Sequence, residues 1–354
     1  MINVLIVNDS PTAAELLSRL LEADPEIHVA ALARNGLEAV DLAGRERPHV
    51  IAMDVHMPRM NGFDTTRRIM ETSPVPIVIV AGSSSRDDDA LLFKSVQSGA
   101  VACVRLPPGP LAPGHAEQAR ELVSTIKAMS EVKVVRRWPY AGDKAGAAPP
   151  APDLRAAPET RAVAVGASTG GPVALQAILS RLPAGLGAPV VVVQHMSPGF
   201  MPSLAQWLAI STPLEVRIAS HGETALPGRV YLAPDGRHLE LDAGGRTLLA
   251  DGPQENGMRP SVSRLFRSAA RSFGAHAAGI LLTGMGEDGA DGLKAMRDAG
   301  AVTIAQNRET SLIYGMPGAA VKADAAAYVL PPEAIAAAIT RLIARGRNGD
   351  RYGN

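Results

Sequence analysis

The chain has 354 residues, enough for two domains, and its 46% of hydrophobic residues can fill two cores that are mainly aliphatic, because aromatic residues make up only 3%. Lys plus Arg and Asp plus Glu number 35 each, so charge gives no case for binding nucleic acid or an anionic membrane, and we predict neither partner. The single cysteine, Cys103, and an N-terminus without a basic, apolar leader predict a soluble cytoplasmic protein with no membrane insertion.

Two short apolar runs in the first third of the chain end close to acidic residues. Residues 4–7 are followed by Asp9, and residues 49–53 are followed directly by Asp54. Unbroken apolar runs of this length are typical of strands buried in a parallel sheet, so we predict a doubly wound α/β domain. The carboxylates of Asp9 and Asp54, with the backbone carbonyl of His56, suit Mg²⁺, although a loop cap is the ordinary alternative for Asp54.

The composition changes abruptly in the middle of the chain. Residues 142–164 are rich in alanine, glycine and proline and too poor in large apolar side chains to pack, which is typical of a linker. Apolar periodicity predicts a helix at 116–129 before this stretch and a final amphipathic helix at 331–345. The predicted organisation is an N-terminal domain at 1–130, a linker at 131–160 and a C-terminal domain at 161–346.

Three glycine-rich turns in the second half of the chain each follow a strongly apolar run. The first turn carries Ser168 in a G-x-S-x-G pattern, the second carries His195, and the third carries Asp288. Functional groups in open parallel sheets gather beyond the carboxyl ends of the strands. We therefore predict a second doubly wound parallel sheet that brings these three residues together.

The three residue types match the needs of nucleophilic catalysis. A serine hydroxyl is a poor nucleophile at neutral pH, so an imidazole must take its proton and a carboxylate must orient and stabilise that imidazole. Backbone N–H groups beside the nucleophile and on a facing glycine-rich loop are suitable donors for an oxyanion. We predict that Ser168, His195 and Asp288 are catalytic, with Thr169 and Met285 supplying the oxyanion N–H groups.

Other interpretations of these turns remain open. A glycine-rich turn between a strand and a helix also suits a phosphate, although here no lysine follows it and the third glycine of G-x-G-x-x-G is absent. His221 and His238 compete with His195, but both lie in a region whose pattern predicts a hairpin. Glu287 and Asp291 compete with Asp288, and sequence spacing alone does not choose among the three acids.

The order Ser, His, Asp along the chain differs from that of ordinary lipases and esterases, in which the acid precedes the histidine. An ordinary lipase or esterase is therefore disfavoured. The second half of the chain carries, in this order, the motifs Gly166-Ala-Ser-Thr-Gly-Gly-Pro172, Gln194-His195-Met196, Tyr231-Leu-Ala-Pro234, Arg237-His238-Leu239, Pro260-Ser-Val262, Thr283-Gly-Met-Gly-Glu-Asp-Gly-Ala290 and Tyr314-Gly-Met-Pro317. Together these motifs resemble the catalytic domain of the chemotaxis-type protein-glutamate methylesterases.

The resemblance implies a Rossmann-like sheet, with Ser168 as nucleophile, His195 as base, Asp288 as its partner and no cofactor for catalysis. The implied substrate is a methylated glutamate on a chemoreceptor, hydrolysed to glutamate and methanol. Related enzymes also deamidate receptor glutamines by the same acyl chemistry.

The segment from Asp54 to Gly62 resembles the phosphoacceptor loop of response-regulator receiver domains, which are flavodoxin-like. That resemblance implies Asp54 as the phosphoacceptor and a chemosensory histidine kinase as a partner. Three positions depart from the family pattern: Asn8 replaces the first of two acidic residues, Ala81 the small hydroxyl residue after the fourth strand, and Leu106 the lysine before a proline.

Each departure removes a charge or a hydrogen bond from the phosphorylation site. Ser83 lies too late in the sequence to replace the missing hydroxyl, and Arg105 points to the opposite face of its strand from the expected lysine. A lost charge-assisted hydrogen bond costs about 1.5 to 3 kcal/mol. We therefore expect weak Mg²⁺ binding and weak phosphorylation of Asp54.

In the family the receiver domain covers the esterase site until it is phosphorylated. A receiver that responds weakly therefore predicts an esterase that stays inhibited or one that a partner releases, and the alternative is an esterase that is constitutively active. The main alternative function is a non-catalytic receiver scaffold that binds array components. A weaker alternative is an esterase of small molecules. The three intact catalytic turns favour the methylesterase.

Overall fold

The computed structural model describes residues 1–82, 98–132, 134 and 158–349, and the side chains of 345–349 are outside that description. The chain divides into two compact units, Met1–Lys144 and Ala145–Asn354. Most of the predicted linker at 131–160 lies outside the described residues, as does Ser83.

The N-terminal unit is a five-stranded sheet in the order β2-β1-β3-β4-β5, and every neighbouring pair is parallel. Its central strands are buried on both faces: the four apolar side chains that end β1 and all the side chains of β3 and β4 are buried, whereas the edge strands β2 and β5 are partly exposed. The elements are β1 (Ile2–Val7), α1 (Pro11–Glu22), β2 (Ile27–Ala33), α2 (Gly36–Glu46), β3 (Val50–Met53), α3 (Gly62–Thr72), β4 (Ile77–Ala81), β5 (Ala102–Arg105) and α4 (His115–Ser130).

Local sequence determines where several of these helices begin. The side chains of Ser10, Asn35 and Asn61 each accept a hydrogen bond from a backbone N–H in the first turn of α1, α2 and α3. β1 and β3 pair in parallel with Val7 opposite Met53, so their carboxyl ends meet at one edge of the sheet.

The C-terminal unit is a seven-stranded parallel sheet in the order β14-β13-β12-β6-β7-β9-β8. The strands are β6 (Ala162–Ala167), β7 (Val190–Gln194), β8 (Glu215–Ile218), β9 (Arg229–Leu232), β10 (His238–Leu241), β11 (Thr247–Ala250), β12 (Ala277–Leu281), β13 (Val302–Gln306) and β14 (Tyr328–Leu330). The helices are α5 (Gly171–Leu179), α6 (Met201–Ser211), α7 (Val262–Phe273), α8 (Ala290–Asp298), α9 (Met316–Lys322) and α10 (Pro332–Gly349).

The predicted hairpin around residues 220–234 is wrong. β8, which precedes that segment, and β9, which lies within it, pair in parallel at one edge of the sheet. The antiparallel pair lies further along the chain, where β10 and β11 form a two-stranded sheet of their own. That hairpin is joined to α7 by a hydrogen bond from the Leu241 N–H to the Ser268 hydroxyl.

Parallel sheets with helices confirm the predicted fold class in both units. β6 lies between β12 on one side and β7 on the other, so the chain reverses its direction of winding around β6. Such a switch point is where ligands bind in open α/β sheets. Among the described residues, no helix has both the length and the apolar character needed to cross a membrane.

Candidate active site

Ser168 lies at the switch point, directly after β6 and before α5. Its N–H donates to the Thr283 carbonyl at 3.0 Å, so the turn after β12 is joined to the serine turn. The chain then enters α5 through Gly170, whose φ of +78° is a conformation that favours glycine. The serine is therefore held on a tight strand-to-helix turn, as the G-x-S-x-G pattern predicts.

The turn after β12 approaches Ser168 closely because it contains Gly284. A β-carbon at that position would lie 2.6 Å from the β-carbon of Ser168 and 2.3 Å from the sulfur of Met316. Any side chain at this position would push the turn away from Ser168, so the close approach requires glycine.

His195 and Asp288 meet beyond the same sheet edge. His195 follows β7, and its N–H donates to the Ala167 carbonyl at 2.9 Å, which places the histidine turn beside the serine turn. Its Nε2 is 3.1 Å from Oδ2 of Asp288, and only 8% and 5% of the two side chains are exposed. The approach is bent from the ideal hydrogen-bond direction, as is common in free enzymes. The other ring nitrogen, Nδ1, is buried and has no hydrogen-bond partner among the described residues.

Asp288 accepts hydrogen bonds from the first turn of α7. The N–H of Val262 donates to Oδ2 at 2.7 Å, and Oδ1 accepts from the N–H of Ser263 at 3.2 Å, the hydroxyl of Ser261 at 3.0 Å and Nδ2 of Asn256 at 3.3 Å. The start of a helix favours negative charge because its N–H groups point outward.

These contacts decide the charge of the carboxyl group. Burial by itself would raise the pKa of Asp288, but the contact with His195 and the two backbone N–H groups outweigh it and hold the pKa well below its ordinary value. The carboxylate is therefore ionised across the physiological range and available to stabilise an imidazolium.

The other two acids of this turn have different surroundings. The Glu287 side chain is exposed, whereas Asp291 is bound by Arg267 at 2.6 Å and by the hydroxyl of Ser263. Only Asp288 lies beside His195.

The competing histidines are engaged in structural contacts. His221 Nδ1 accepts from the Leu249 N–H at 3.1 Å. The buried His238 accepts at Nδ1 from the Ser261 N–H at 3.2 Å, so its Nε2 carries the proton and donates to the Pro253 carbonyl at 2.8 Å. His238 thus holds Ser261, which in turn binds Asp288.

The residues around Asp288 were not predicted as site residues. Asn256, Ser261 and Ser263 are far from Asp288 in sequence, and their roles depend on how α7 packs. One signal was available: Ser261 directly precedes a strongly amphipathic helix, which is typical of an N-cap and therefore of an anion-binding helix start.

The predicted oxyanion donors lie on the two turns that flank the serine. Thr169 follows Ser168, and Met285 follows Gly284 on the facing turn. No protein oxygen within the described parts of the chain accepts from the N–H of either residue. The Thr283 hydroxyl lies 2.9 Å from the Thr169 carbonyl and accepts from the Ile313 N–H, which braces both turns.

The N-terminal unit carries a second cluster of acidic residues. Asp54 follows β3, its N–H donates to the Val7 carbonyl, and its Oδ1 accepts from the His56 N–H at 3.2 Å. Burial raises the pKa of Asp54, and the negative charge of Asp9 adds to that rise, while neighbouring backbone N–H groups oppose it only in part. A divalent cation would relieve this repulsion.

The oxygen donors available for Mg²⁺ fit only in part. Asp9, Asp54 and the His56 carbonyl are the candidates, but the Asn8 side-chain oxygen already accepts from the Ser10 N–H at 2.9 Å. No cluster of three or more metal-binding side chains occurs within the described ranges. The two carboxylates alone, without the Asn8 oxygen that is bound to the Ser10 N–H, form a weak site for Mg²⁺.

Asn8 follows β1, and the other two positions that depart from the receiver pattern lie at the ends of β4 and β5. The Leu106 N–H donates to the Ala81 carbonyl at 2.7 Å, so these two residues are neighbours in space. Leu106 occupies the position expected for lysine, and Ala81 the position expected for a hydroxyl residue. On the same strand, burial raises the pKa of the Cys103 thiol to about 12, which makes it an unreactive apolar side chain.

Comparison with known proteins identifies both units. The CheB methylesterase family matches residues 163–339, and the response regulator receiver domain matches residues 4–107. A protein-glutamate methylesterase/protein-glutamine glutaminase of Syntrophus aciditrophicus is 49% identical over 346 residues, covering 97% of this chain and 98% of that protein. One from Geobacter metallireducens is 48% identical over 97% of this chain and 99% of its own.

A solved structure resembles the C-terminal unit. The CheB methylesterase catalytic domain of Thermotoga maritima is 38% identical, covers 52% of this chain and all of its own length, and superimposes with a TM-score of 0.51.

Proposed function

This chain belongs to the CheB family of protein-glutamate methylesterases, and we propose that Ser168, His195 and Asp288 form its catalytic triad. It is a carboxylic ester hydrolase that converts glutamate methyl esters of chemoreceptors to glutamate and methanol, and its relatives are also named protein-glutamine glutaminases. The observation that carries the assignment of residues is the buried contact of 3.1 Å between His195 and Asp288 beside the serine turn.

In the first half of the reaction, the Ser168 hydroxyl oxygen forms a bond to the ester carbonyl carbon while His195 takes the hydroxyl proton. Because Nε2 faces Asp288, the free Nδ1 is the nitrogen that accepts this proton. The imidazolium then returns the proton to the methoxy oxygen as the C–O bond breaks, which releases methanol and leaves an acyl-serine.

In the second half, a water molecule attacks the acyl-serine, His195 takes one of its protons, and that proton returns to the Ser168 oxygen as glutamate is released. Both tetrahedral intermediates carry an oxyanion. The N–H groups of Thr169 and Met285 have no protein acceptor in the part of the chain that the structure describes, and they are our candidates to bind it. Attack on a glutamine amide follows the same steps with ammonia as the leaving group.

The test is methanol release from methylated receptor membranes by the wild-type chain and by Ser168→Ala. We expect release by the wild type and loss of about 10⁶-fold in Ser168→Ala, since removal of a catalytic serine has an effect of that order. Release that persists in Ser168→Ala would overturn the assignment of the nucleophile. Binding to receptor membranes without any release by the wild type would favour the scaffold interpretation.

For the N-terminal unit, we propose an atypical receiver that retains the acceptor Asp54 and responds weakly to a chemosensory histidine kinase in the cytoplasm. The amide Asn8, with its oxygen bound to Ser10, and the neighbouring Ala81 and Leu106 support this proposal. Incubation with an acyl phosphate and Mg²⁺ tests it. Rapid, stoichiometric labelling of Asp54 together with faster methanol release would contradict it.

A further inference from the structure

Gln194 connects the nucleophile turn to the base turn through a single side-chain nitrogen. It is the last residue of β7, immediately precedes His195, and is 2% exposed. Its Nε2 donates to the Ser168 carbonyl at 2.8 Å and to the His195 carbonyl at 2.7 Å. The two hydrogens of one amide nitrogen therefore join the backbones of the two residues that exchange the proton.

The contact with the Ser168 carbonyl also fixes the next N–H group. That carbonyl belongs to the peptide bond between Ser168 and Thr169, which is planar, and in a trans peptide the C=O and N–H point in opposite directions. The oxygen receives a second hydrogen bond, from the Gly171 N–H at 2.8 Å. Holding this oxygen from one side therefore aims the Thr169 N–H to the other side, where the oxyanion is expected.

The amide has only one acceptable orientation. If it were reversed, its oxygen would face two carbonyl oxygens and repel both. In the orientation observed, Oε1 is buried without a hydrogen-bond partner among the described residues. The unpaired acceptor is unfavourable, so the two carbonyl contacts must outweigh it. Gln194 Oε1 fits at this place because residue 171 is glycine. A β-carbon on Gly171 would lie only 2.0 Å from that oxygen.

We infer that Gln194 is a positioning residue that orients the Thr169 N–H toward the oxyanion and holds the His195 turn against the Ser168 turn. This inference depends on the proposed roles of Ser168 and His195. It predicts that loss of the amide donors slows the chemical step while ester binding is retained.

The first test is Gln194→Met in the full chain, which keeps the volume of the side chain and removes both donors. Loss of an oxyanion donor lowers kcat by about 10²- to 10³-fold, and misorientation should cost less, so we expect kcat to fall about 10- to 100-fold. KM should stay within about threefold, because the lost contact is felt mainly in the transition state. A kcat equal to that of the wild type would overturn the inference.

A matched control is Thr303→Val. Thr303 is also buried and its hydroxyl also makes a hydrogen bond with the backbone, here by accepting from the Ala327 N–H at 3.1 Å, but it lies on β13 and not on any of the turns that carry Ser168, His195 and Asp288. We expect a similar loss of thermal stability with unchanged kcat. If Thr303→Val slows turnover as much as Gln194→Met does, the effect is one of general packing and the inference fails.

Gln194→Glu provides a second readout within one folded protein. Its carboxylate would repel the two carbonyl oxygens, whereas the protonated carboxyl could donate to one of them. The ratio of variant to wild-type kcat should therefore rise as pH falls. A ratio that is independent of pH would contradict the inference. Wild-type release that does not depend on Ser168 would instead contradict the proposed function on which it rests.

Discussion

Asp288 is a buried carboxyl group and Asp54 a partly buried one, each beyond the carboxyl end of a parallel sheet, yet their pKa values move in opposite directions. The pKa of Asp288 is lowered because His195 and the first turn of α7 outweigh its burial. The pKa of Asp54 is raised because burial, with the nearby charge of Asp9, outweighs two backbone N–H groups. Because burial opposes the charge of both groups, the comparison shows that the supply of hydrogen-bond donors and nearby positive charge decides whether such a carboxyl group stays charged.

Exchange of each acid for its amide tests this comparison most strongly. Asp288→Asn should lower kcat by about 10⁴-fold, because an amide neither stabilises the imidazolium nor maintains the correct tautomer. Asp54→Asn should leave methanol release without a phosphodonor unchanged. Initial rates of methanol release by the two variants measure the difference, and an equal loss in both would contradict a catalytic role confined to the C-terminal unit.

The donors around Asp288 can be removed one at a time. Ser261→Ala deletes a hydrogen bond of 3.0 Å to the carboxylate. A hydrogen bond to a charged group contributes about 1.5 to 3 kcal/mol, so we expect kcat to fall about tenfold. Ser272→Ala is the matched control, because that hydroxyl lies on the same helix and donates to the Leu241 carbonyl at 2.9 Å. If the two variants retain the same kcat, the Ser261 contact does not support catalysis.

At the acidic cluster of the N-terminal unit, Asn8→Asp adds a metal-binding oxygen with charge. We expect Mg²⁺ affinity, and with it labelling of Asp54 by an acyl phosphate, to rise about tenfold, because the charge of the ligand set tunes cation affinity. Radiolabel incorporation measures the change, with Asn8→Asp plus Asp54→Asn as the background. No gain in labelling would place the defect in Ala81 and Leu106 instead.

Thermal unfolding should show the opposite effects of the Asp288 and Asp54 carboxylates on stability directly. A carboxyl group whose folded pKa is lowered stabilises the fold above its unfolded pKa of about 4 and loses that contribution as pH falls toward the folded value. A carboxyl group whose folded pKa is raised opposes folding increasingly as pH rises above its unfolded pKa, and the full penalty is present above the raised value. At pH 7, Asp288→Asn should therefore lower the Tm of its unit and Asp54→Asn should raise that of the other. Calorimetry resolves the two transitions, and shifts of the same sign would refute the comparison.

Much of the catalytic unit was predictable because its strands and turns are local patterns. The apolar runs before Ser168, His195 and the Asp288 turn predict buried parallel strands, and parallel strands bring their carboxyl ends to one edge. Sequence spacing alone could not choose Asp288 over Glu287 and Asp291, and only the family resemblance pointed to it, because the choice depends on where the first turn of α7 lies. No short-range pattern reports that packing.

The incorrect hairpin has a similar cause. Glycine turns between the short strands β8 and β9 are consistent with an antiparallel return. The pairing was decided instead by β9 joining β7 in parallel, with β8 added at the edge. The role of Gln194 was equally hidden. The sequence shows only a polar residue at the end of a valine run, and the folded backbone is needed to show which two carbonyls its side chain binds.

The capping of α7 by Asp288 makes the lifetime of the oriented base observable without substrate. The N–H groups of Val262 and Ser263 point at this carboxylate, so their hydrogens exchange with deuterium only when the helix start opens. Each such opening also removes the support of His195. The exchange rates of these two amides therefore set an upper limit on how long the enzyme keeps its base aligned between turnovers.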